Sequence, residues 1–263
     1  MMPDALIIYL LLGVCAGILA GLLGVGGGLI IVPVLAWVFT LQGFPAESLM
    51  HLAIGTSLST IVFTSISSVH AHHRHAAVNW SLFRMLTPGL LLGSLLGSFA
   101  ADLIPTALLR QIFGVFELVV AAQMGLSLLP ASRKGLSGWL GNGIAGGGIG
   151  FISAIVGVGG GSMTVPWLVW SSVAMRKAIA TSAACGLPIA VAGSAGFMLA
   201  GWQQDSGLEW TLGYIYLPAM IAVSIASVAL APVGAMLAHR LPAAQLKRIF
   251  ALLLLMLGIK MLW

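Results

Sequence analysis

Two glycine triplets, Gly26 to Gly28 and Gly159 to Gly161, have the plainest chemical use in this chain. Each closes a GVGGG stretch, at residues 24–28 and 157–161, and each is followed by an apolar segment of helical length. A helix that starts directly after such a triplet leaves its first backbone N–H groups without intrahelical partners, and the helix dipole puts partial positive charge there. Glycine lets a ligand come close to those N–H groups, so each triplet can build an anion site with no charged side chain. New helices are expected from about Leu29 and Ser162. Ser162 and Thr164 add hydroxyl donors on the second side only, and Trp167 is placed to line the same cavity. The same glycines also suit a tight helix crossing of the small-xxx-small kind, and the two uses stay open at this point.

Two Thr-Ser pairs, Thr56–Ser57 and Thr181–Ser182, sit at matching places after the triplets. Their hydroxyls are suited either to a bound ion or to a carbonyl one turn back in the same helix. Glu117, in FGVFELVVAAQM, is the one carboxylate well inside an apolar segment. A carboxylate at membrane depth is costly, which marks it as a candidate for coupling to a proton, against a structural hydrogen bond to a neighbouring helix. HAHHRHAA (70–77) has imidazole spacing that suits a metal, but no Cys, Asp or Glu lies nearby to complete a set, so a basic membrane face is the better reading. Cys15 and Cys185 are both in apolar segments without a CxxC, so no metal, disulfide or cofactor is expected.

The elements that must position these residues are membrane helices. Sixty per cent of the chain is hydrophobic and 6% charged, with a mean hydropathy of +1.10. Soluble domains carry about a quarter charged residues. The net charge of +5 belongs to loop Lys and Arg that orient helices, and nucleic acid is not an expected partner. MMPDALIIYLLLGVCAG lacks a basic leading segment and carries Asp4, so it reads as a first helix rather than a signal peptide. No charge occurs from Ala5 to Ala46 or from Gly135 to Met175. About forty residues would make roughly 60 Å of helix, twice the hydrocarbon thickness, so each run must fold back at its glycines. Residues 28–40 are too short for a full span, which predicts a broken, re-entrant hairpin. Backbone of that kind is tolerated only where protein or a water-filled cavity shields it.

The pattern occurs twice. GVGGGLIIVP (24–33) matches GVGGGSMTVP (157–166), AIGTS (53–57) matches AIATS (178–182), and LIPTALLRQIF (103–113) matches RLPAAQLKRIF (240–250). The expected fold is an all-α polytopic membrane protein of two repeats, 1–132 and 133–263, each a glycine-broken hairpin followed by three transmembrane helices. An odd number of side changes per half inverts the second repeat. Placing Arg133 and Lys134 in the cytoplasm also puts Arg74, Arg84, Arg176, Lys177, Arg240, Lys247 and Arg248 there. Glu47, Asp102, Asp205 and Glu209 then fall outside, as do both termini, and Arg110 is the poor fit. Trp37, Trp80, Trp139, Trp202, Trp210 and Trp263 lie near expected span ends. Inverted repeats with broken helices are the build of secondary transporters.

The chain resembles the sulfite exporter TauE/SafE family. The resemblance rests on GLLGVGGGLIIVPVL (21–35), AIGTSL (53–58), PGLLLGSLLGS (88–98), LLRQIFGVF (108–116), and the second-half GVGGGSMTVP and AIATS. It implies a transporter of small anions, commonly sulfur-containing ones such as sulfite or sulfoacetate, in the bacterial inner membrane. Together with the residues, it gives the expectation of a secondary transporter working by alternating access. Gly26, Gly27, Gly28, Thr56, Ser57, Gly159, Gly160, Gly161, Ser162, Thr181 and Ser182 would contact the substrate. A proton or cation would couple through Glu117. An anion channel built from paired re-entrant helices is the alternative. No nucleotide-binding Lys follows the Gly-rich stretch GNGIAGGGIGF (141–151), which reads as helix-packing material, and no catalytic constellation is visible in the spans, so an enzyme is not expected. Monomer and homodimer stay open.

Overall fold

The computed structural model describes residues 3–24, 26–74, 77–126, 138–202, 204, 208–238 and 243–263. The described helices, in chain order, are α1 (Pro3–Leu23), α2 (Gly28–Leu41), α3 (Leu49–Arg74), α4 (Trp80–Asp102), α5 (Thr106–Gly125), α6 (Trp139–Val156), α7 (Gly161–Trp170), α8 (Met175–Ala200), α9 (Leu217–Ala238) and α10 (Ala243–Leu262). A two-stranded antiparallel ribbon, β1 (Thr211–Leu212) and β2 (Ile215–Tyr216), precedes α9. Seven of the described helices, α1, α3 to α6, α8 and α9, are long and apolar enough to cross a membrane. The chain is a polytopic helical membrane protein. The expected boundary at 132/133, with Arg133 and Lys134, lies outside the described residues, as do His75, Ala76, Asp205 and Arg240.

Each long charge-free run is broken into two helices at its glycines. α1 has 21 residues and α2 14, α6 has 18 and α7 only 10. At 1.5 Å per residue the returning arms are about 21 and 15 Å long, short of the bilayer core. Both returning helices begin one residue earlier than expected, at Gly28 and Gly161. The reason is the backbone of the capping residue. Gly27 and Gly160 are left-handed, with φ of 78° and 74°, so the helix starts on the next residue.

What holds the helices together is close backbone approach at glycine. Lipid tails are as apolar as leucine, so helices in a bilayer associate by packing rather than by escape from water. α1 lies along α9, where a Cβ at Gly13 would stand 2.5 Å from the Val223 carbonyl oxygen and one at Gly21 2.5 Å from the Ala235 nitrogen. α4 lies along α6 in the same way, through Gly93 against Gly147 and through Gly146 and Gly150 against the Leu86 and Leu90 carbonyls at 2.5 Å. The stretch GNGIAGGGIGF is therefore helix-packing surface. α3 and α8 pack on each other in the interior, with α9 against α3 and α4 against α8, and α5 pairs with α10. Exposed Leu92, Leu96, Val115, Val119, Ile225 and Met256 face the lipid side of the bundle. Trp80 and Trp139 open α4 and α6, and both are exposed.

One end of the bundle is closed by a polar clamp. The Tyr214 hydroxyl donates to Asp102 at 2.8 Å, and the Tyr214 ring stacks on His51 with centroids 5.0 Å apart. Burial, then the adjacent Asp102 carboxylate, push the Tyr214 phenol above its ordinary pKa. His51 Nε2 sits 3.1 Å from the Ala101 carbonyl oxygen.

Candidate functional site

The two glycine turns meet. A Cβ on Gly26 would be 3.2 Å from the Gly159 Cα and 3.2 Å from Ile61, and one on Gly28 would be 2.9 Å from the Val158 Cα. The Gly159 carbonyl oxygen in turn lies 3.0 Å from the Cβ position of Gly186. Ile61 is at the middle of α3, and Gly186 and Ile189 are at the middle of α8. The helix breaks are thus lodged deep between the two central spans, shielded by protein as broken backbone at membrane depth requires. Gly26 and Gly157, with φ of 78° and 71°, are left-handed as well.

Backbone bonds show how each returning helix starts. Ile30 and Ile31 N–H both reach the Gly27 carbonyl, and Met163 and Thr164 N–H both reach Gly160. The N–H groups before them, on Gly28 and Leu29 and on Gly161 and Ser162, have no earlier carbonyl within their helix to bond.

The Thr-Ser pairs do something the sequence did not disclose. Ser57 donates to the Gly157 carbonyl at 2.9 Å, and Ser182 donates to the Gly24 carbonyl at 3.0 Å. Each serine therefore fastens the turn of the opposite hairpin rather than bonding one turn back in its own helix. The threonines show the same exchange. Thr56 Oγ1 accepts from Tyr216 N–H and Thr181 Oγ1 from Asn79 N–H, both at 2.9 Å, at the residues leading into α9 and α4. All four hydroxyls are engaged with protein backbone, and the four side chains are fully buried.

Free donors lie elsewhere. Thr164 Oγ1, Ser162 Oγ and Trp167 Nε1 on α7 are buried with no hydrogen-bond partner among the described residues. Thr164 Oγ1 is 3.4 Å from the Cβ position of Gly160 and so stands at the second turn. The corresponding positions of α2, Leu29, Ile31 and Val34, are apolar. On the other side, a small cleft at the first turn is lined by Gly24, Gly26, Ala183 and Gly186 with Ser65 and Ser68 of α3. Ser68 Oγ is buried and also lacks a partner. None of these lining residues is charged. Ser65 and Ser68 were missed in the sequence. Their signal was the run TSISS (64–68), which puts two serines three apart on one helix face, the face that also presents Ser57, Thr60 and Thr64.

Glu117 is completely buried in α5, and neither carboxylate oxygen has a partner among the described residues. Its neighbour is Gly258 of α10, whose Cβ position is 3.2 Å from the Glu117 Cβ. The atoms nearest the turns come from α1, α2, α3, α6, α7 and α8, so Glu117 is not brought together with them. In the His segment, His72 is buried with Nε2 3.1 Å from the Gly21 carbonyl oxygen, and His73 meets Trp80 edge to face. Among the described residues, no three His, Cys, Asp or Glu side chains gather closely enough to hold a metal. Cys15 and Cys185 are free thiols.

The family described as sulfite exporter TauE/SafE matches residues 9–261. A Haemophilus influenzae protein named "Probable membrane transporter protein" is 35% identical over 258 residues, covering 97% of each chain. A Methanocaldococcus jannaschii protein of the same description is 26% identical over 262 residues, covering 97% of this chain and 94% of its own. No solved structure gives a significant match. With a match from Tyr9 to Met261 that takes in both glycine turns, the chain belongs to the sulfite exporter TauE/SafE family.

Proposed function

We propose that this membrane transporter carries small anions, sulfur oxyanions or sulfonates such as sulfite or sulfoacetate, by alternating access coupled to an ion gradient. The carrying observation is that the two glycine turns from which α2 and α7 start touch each other, Gly26 at Gly159 and Gly28 at Val158, between the midpoints of α3 and α8. Buried hydroxyls of Ser68 and Thr164, without a partner among the described residues, stand beside them. The helix dipoles supply partial positive charge, and the hydroxyls supply donors that the fold leaves unused. An anion that sheds its water there recovers hydrogen bonds, whereas a cation would meet the wrong end of both helices.

The same reading gives each predicted residue a role. Gly26 to Gly28 and Gly159 to Gly161 present the backbone, Ser162 and Thr164 donate, Ser57 and Ser182 position the turns from the opposite half, and Thr56 and Thr181 hold the starts of α9 and α4 beside them. Residues 1–132 and 133–263 form inverted repeats in the bacterial inner membrane with both termini periplasmic. The packing of α1 on α9 and of α6 on α4 supports that reading, since each pairs the first helix of one half with the fourth of the other. Glu117 carries the coupling proton on the α5/α10 pair. A channel would need a continuous polar passage, and the direct contact of the turns favours a carrier.

The test is thermal stabilisation of the purified protein across a panel of small anions, repeated for Gly27→Val, Gly160→Val and the near-isosteric Thr164→Val. Sulfite or a sulfonate should raise the melting temperature of the native chain and not of the variants. No stabilisation by any anion, or stabilisation that Thr164→Val and both glycine variants retain, overturns the site. Counter-flow of labelled anion in vesicles separates carrier from channel.

A further inference from the structure

Apart from the glycine turns, the structure holds a second and larger cavity, of about 730 Å³, that the transport reading does not use. It is a groove between α2, α5 and α10, capped by the start of α3. Its walls are mainly apolar, with Val34 and Trp37 of α2 facing Leu257 of α10. Its charged residues are Glu47, Arg110 and Lys260. The Lys260 ammonium stands 4.7 Å over the Trp37 ring, and Arg110 Nη2 donates to the Lys260 carbonyl at 3.2 Å. Among the described residues this bond takes one of the five N–H donors of Arg110 and leaves the others open.

We propose that this groove binds an anionic phospholipid, with its phosphate at Arg110 and Lys260 and the upper part of an acyl chain along α2 and α10. Three observations on the groove select that occupant. Trp37, Arg110 and Lys260 are all exposed, so the groove opens sideways on the lipid-facing surface rather than toward the turns. Arg110 lies near the start of α5, Lys260 near the end of α10 and Glu47 just before α3, with Trp37 in the last two turns of α2, the level at which a bilayer places headgroups and Trp rings. The lining charges sum to +1, two cations against one carboxylate, so a phosphodiester without an amine neutralises them, whereas a zwitterionic headgroup leaves the surplus. The apolar walls match a chain and not a small hydrated anion. The site also gives Arg110 a partner, which the charge map of the loops did not.

The experiment is native mass spectrometry of the detergent-purified full chain titrated with phosphatidylglycerol, with phosphatidylcholine of the same acyl chains, and with glycerol phosphate alone. Phosphatidylglycerol should be retained in preference to phosphatidylcholine, and Arg110→Gln/Lys260→Gln should weaken it by about tenfold to thirtyfold. Glu47→Gln is the companion variant should the double variant fail to fold. It raises the local charge, so it should tighten phosphatidylglycerol and leave phosphatidylcholine unchanged. Equal retention of the two lipids by the native chain, or charge variants that leave phosphatidylglycerol unchanged, overturns the proposal. So does glycerol phosphate binding as tightly as the lipid, which would make this a small-anion site. A native dimer that sheds no lipid but dissociates in the double variant would give the groove to a second copy instead.

Discussion

Within the single crossing of α4 and α6, one substitution should change sign with the helix that carries it. A Cβ at Gly93 of α4 would overlap the Gly147 carbonyl oxygen, and would stand 2.8 Å from its carbon and 3.0 Å from its Cα. At Gly147 of α6 the nearest atom to a Cβ is the Gly89 oxygen at 4.0 Å, and at Gly143 nothing lies within 4 Å. Carbon atoms pack best at about 3.5–4.0 Å, so Gly93→Ala must push the helices apart by roughly half an ångström or more along a buried seam. Overpacking of this kind costs about 1–3 kcal/mol, and the better helix propensity of alanine returns about 0.5–1 kcal/mol. The net loss is about 0.5–2 kcal/mol. Gly147→Ala keeps only the gain. At roughly 2–4 °C per kcal/mol for a chain of this size, Gly93→Ala should lower the apparent melting temperature by about 1–8 °C. Gly147→Ala should raise it by about 1–4 °C. Tryptophan fluorescence during heating in one detergent, with both variants in the same run, reads the difference. Equal shifts, or a Gly147→Ala as damaging as Gly93→Ala, would refute the asymmetric seam.

Two further expectations follow from buried polar groups. Ser57→Ala and Ser182→Ala each strip a donor from a turn carbonyl. Interhelical bonds in membranes average about 0.6 kcal/mol with a maximum near 1.7, so each variant should lose that much stability and transport more slowly. A combined variant with a loss no greater than either alone would show that the two bonds act as one. Glu117→Leu places there the residue type that the repeat, matched at 103–113 and 240–250, has at Leu254 and removes two oxygens unpartnered among the described residues, so it should stabilise by roughly 1–3 kcal/mol while abolishing proton-driven transport. Unchanged coupling in Glu117→Gln would take the proton away from this residue.

Much of the fold could be read from composition and spacing. The glycine triplets interrupt runs too long for one span, and that predicts a break followed by a short helix in each, seen as α2 and α7. The stretch 141–151 declared itself as packing surface because its glycines recur at helical spacing. What could not be read was partnership between distant segments. Thr56–Ser57 and Thr181–Ser182 stood out as symmetric, yet a hydroxyl does not encode which carbonyl it will meet, and both serines cross to the other hairpin. Ser65 and Ser68 were overlooked for a related reason. Serine is common in membrane helices, and only the arrival of Gly24 and Gly186 beside them makes a cleft. Arg110 misfitted the charge map because its surroundings come from α2 and α10, far away in sequence.

The crossed packing of α1 on α9 has a consequence for synthesis. Gly13, Gly17 and Gly21 are shaped to receive Val223, Ser227 and Ala231, about two hundred residues later in the chain. At roughly 5–20 residues per second, the ribosome delivers that partner some 10–40 s after α1 has entered the bilayer. During that interval the notched face of α1 touches only lipid or the insertion machinery, and a quality-control protease has its clearest chance to act. A chain cut within residues 127–137 and supplied as two fragments should therefore accumulate only when both are made together. Pulse-labelled fragments that persist singly would show that α1 is safeguarded by something other than α9.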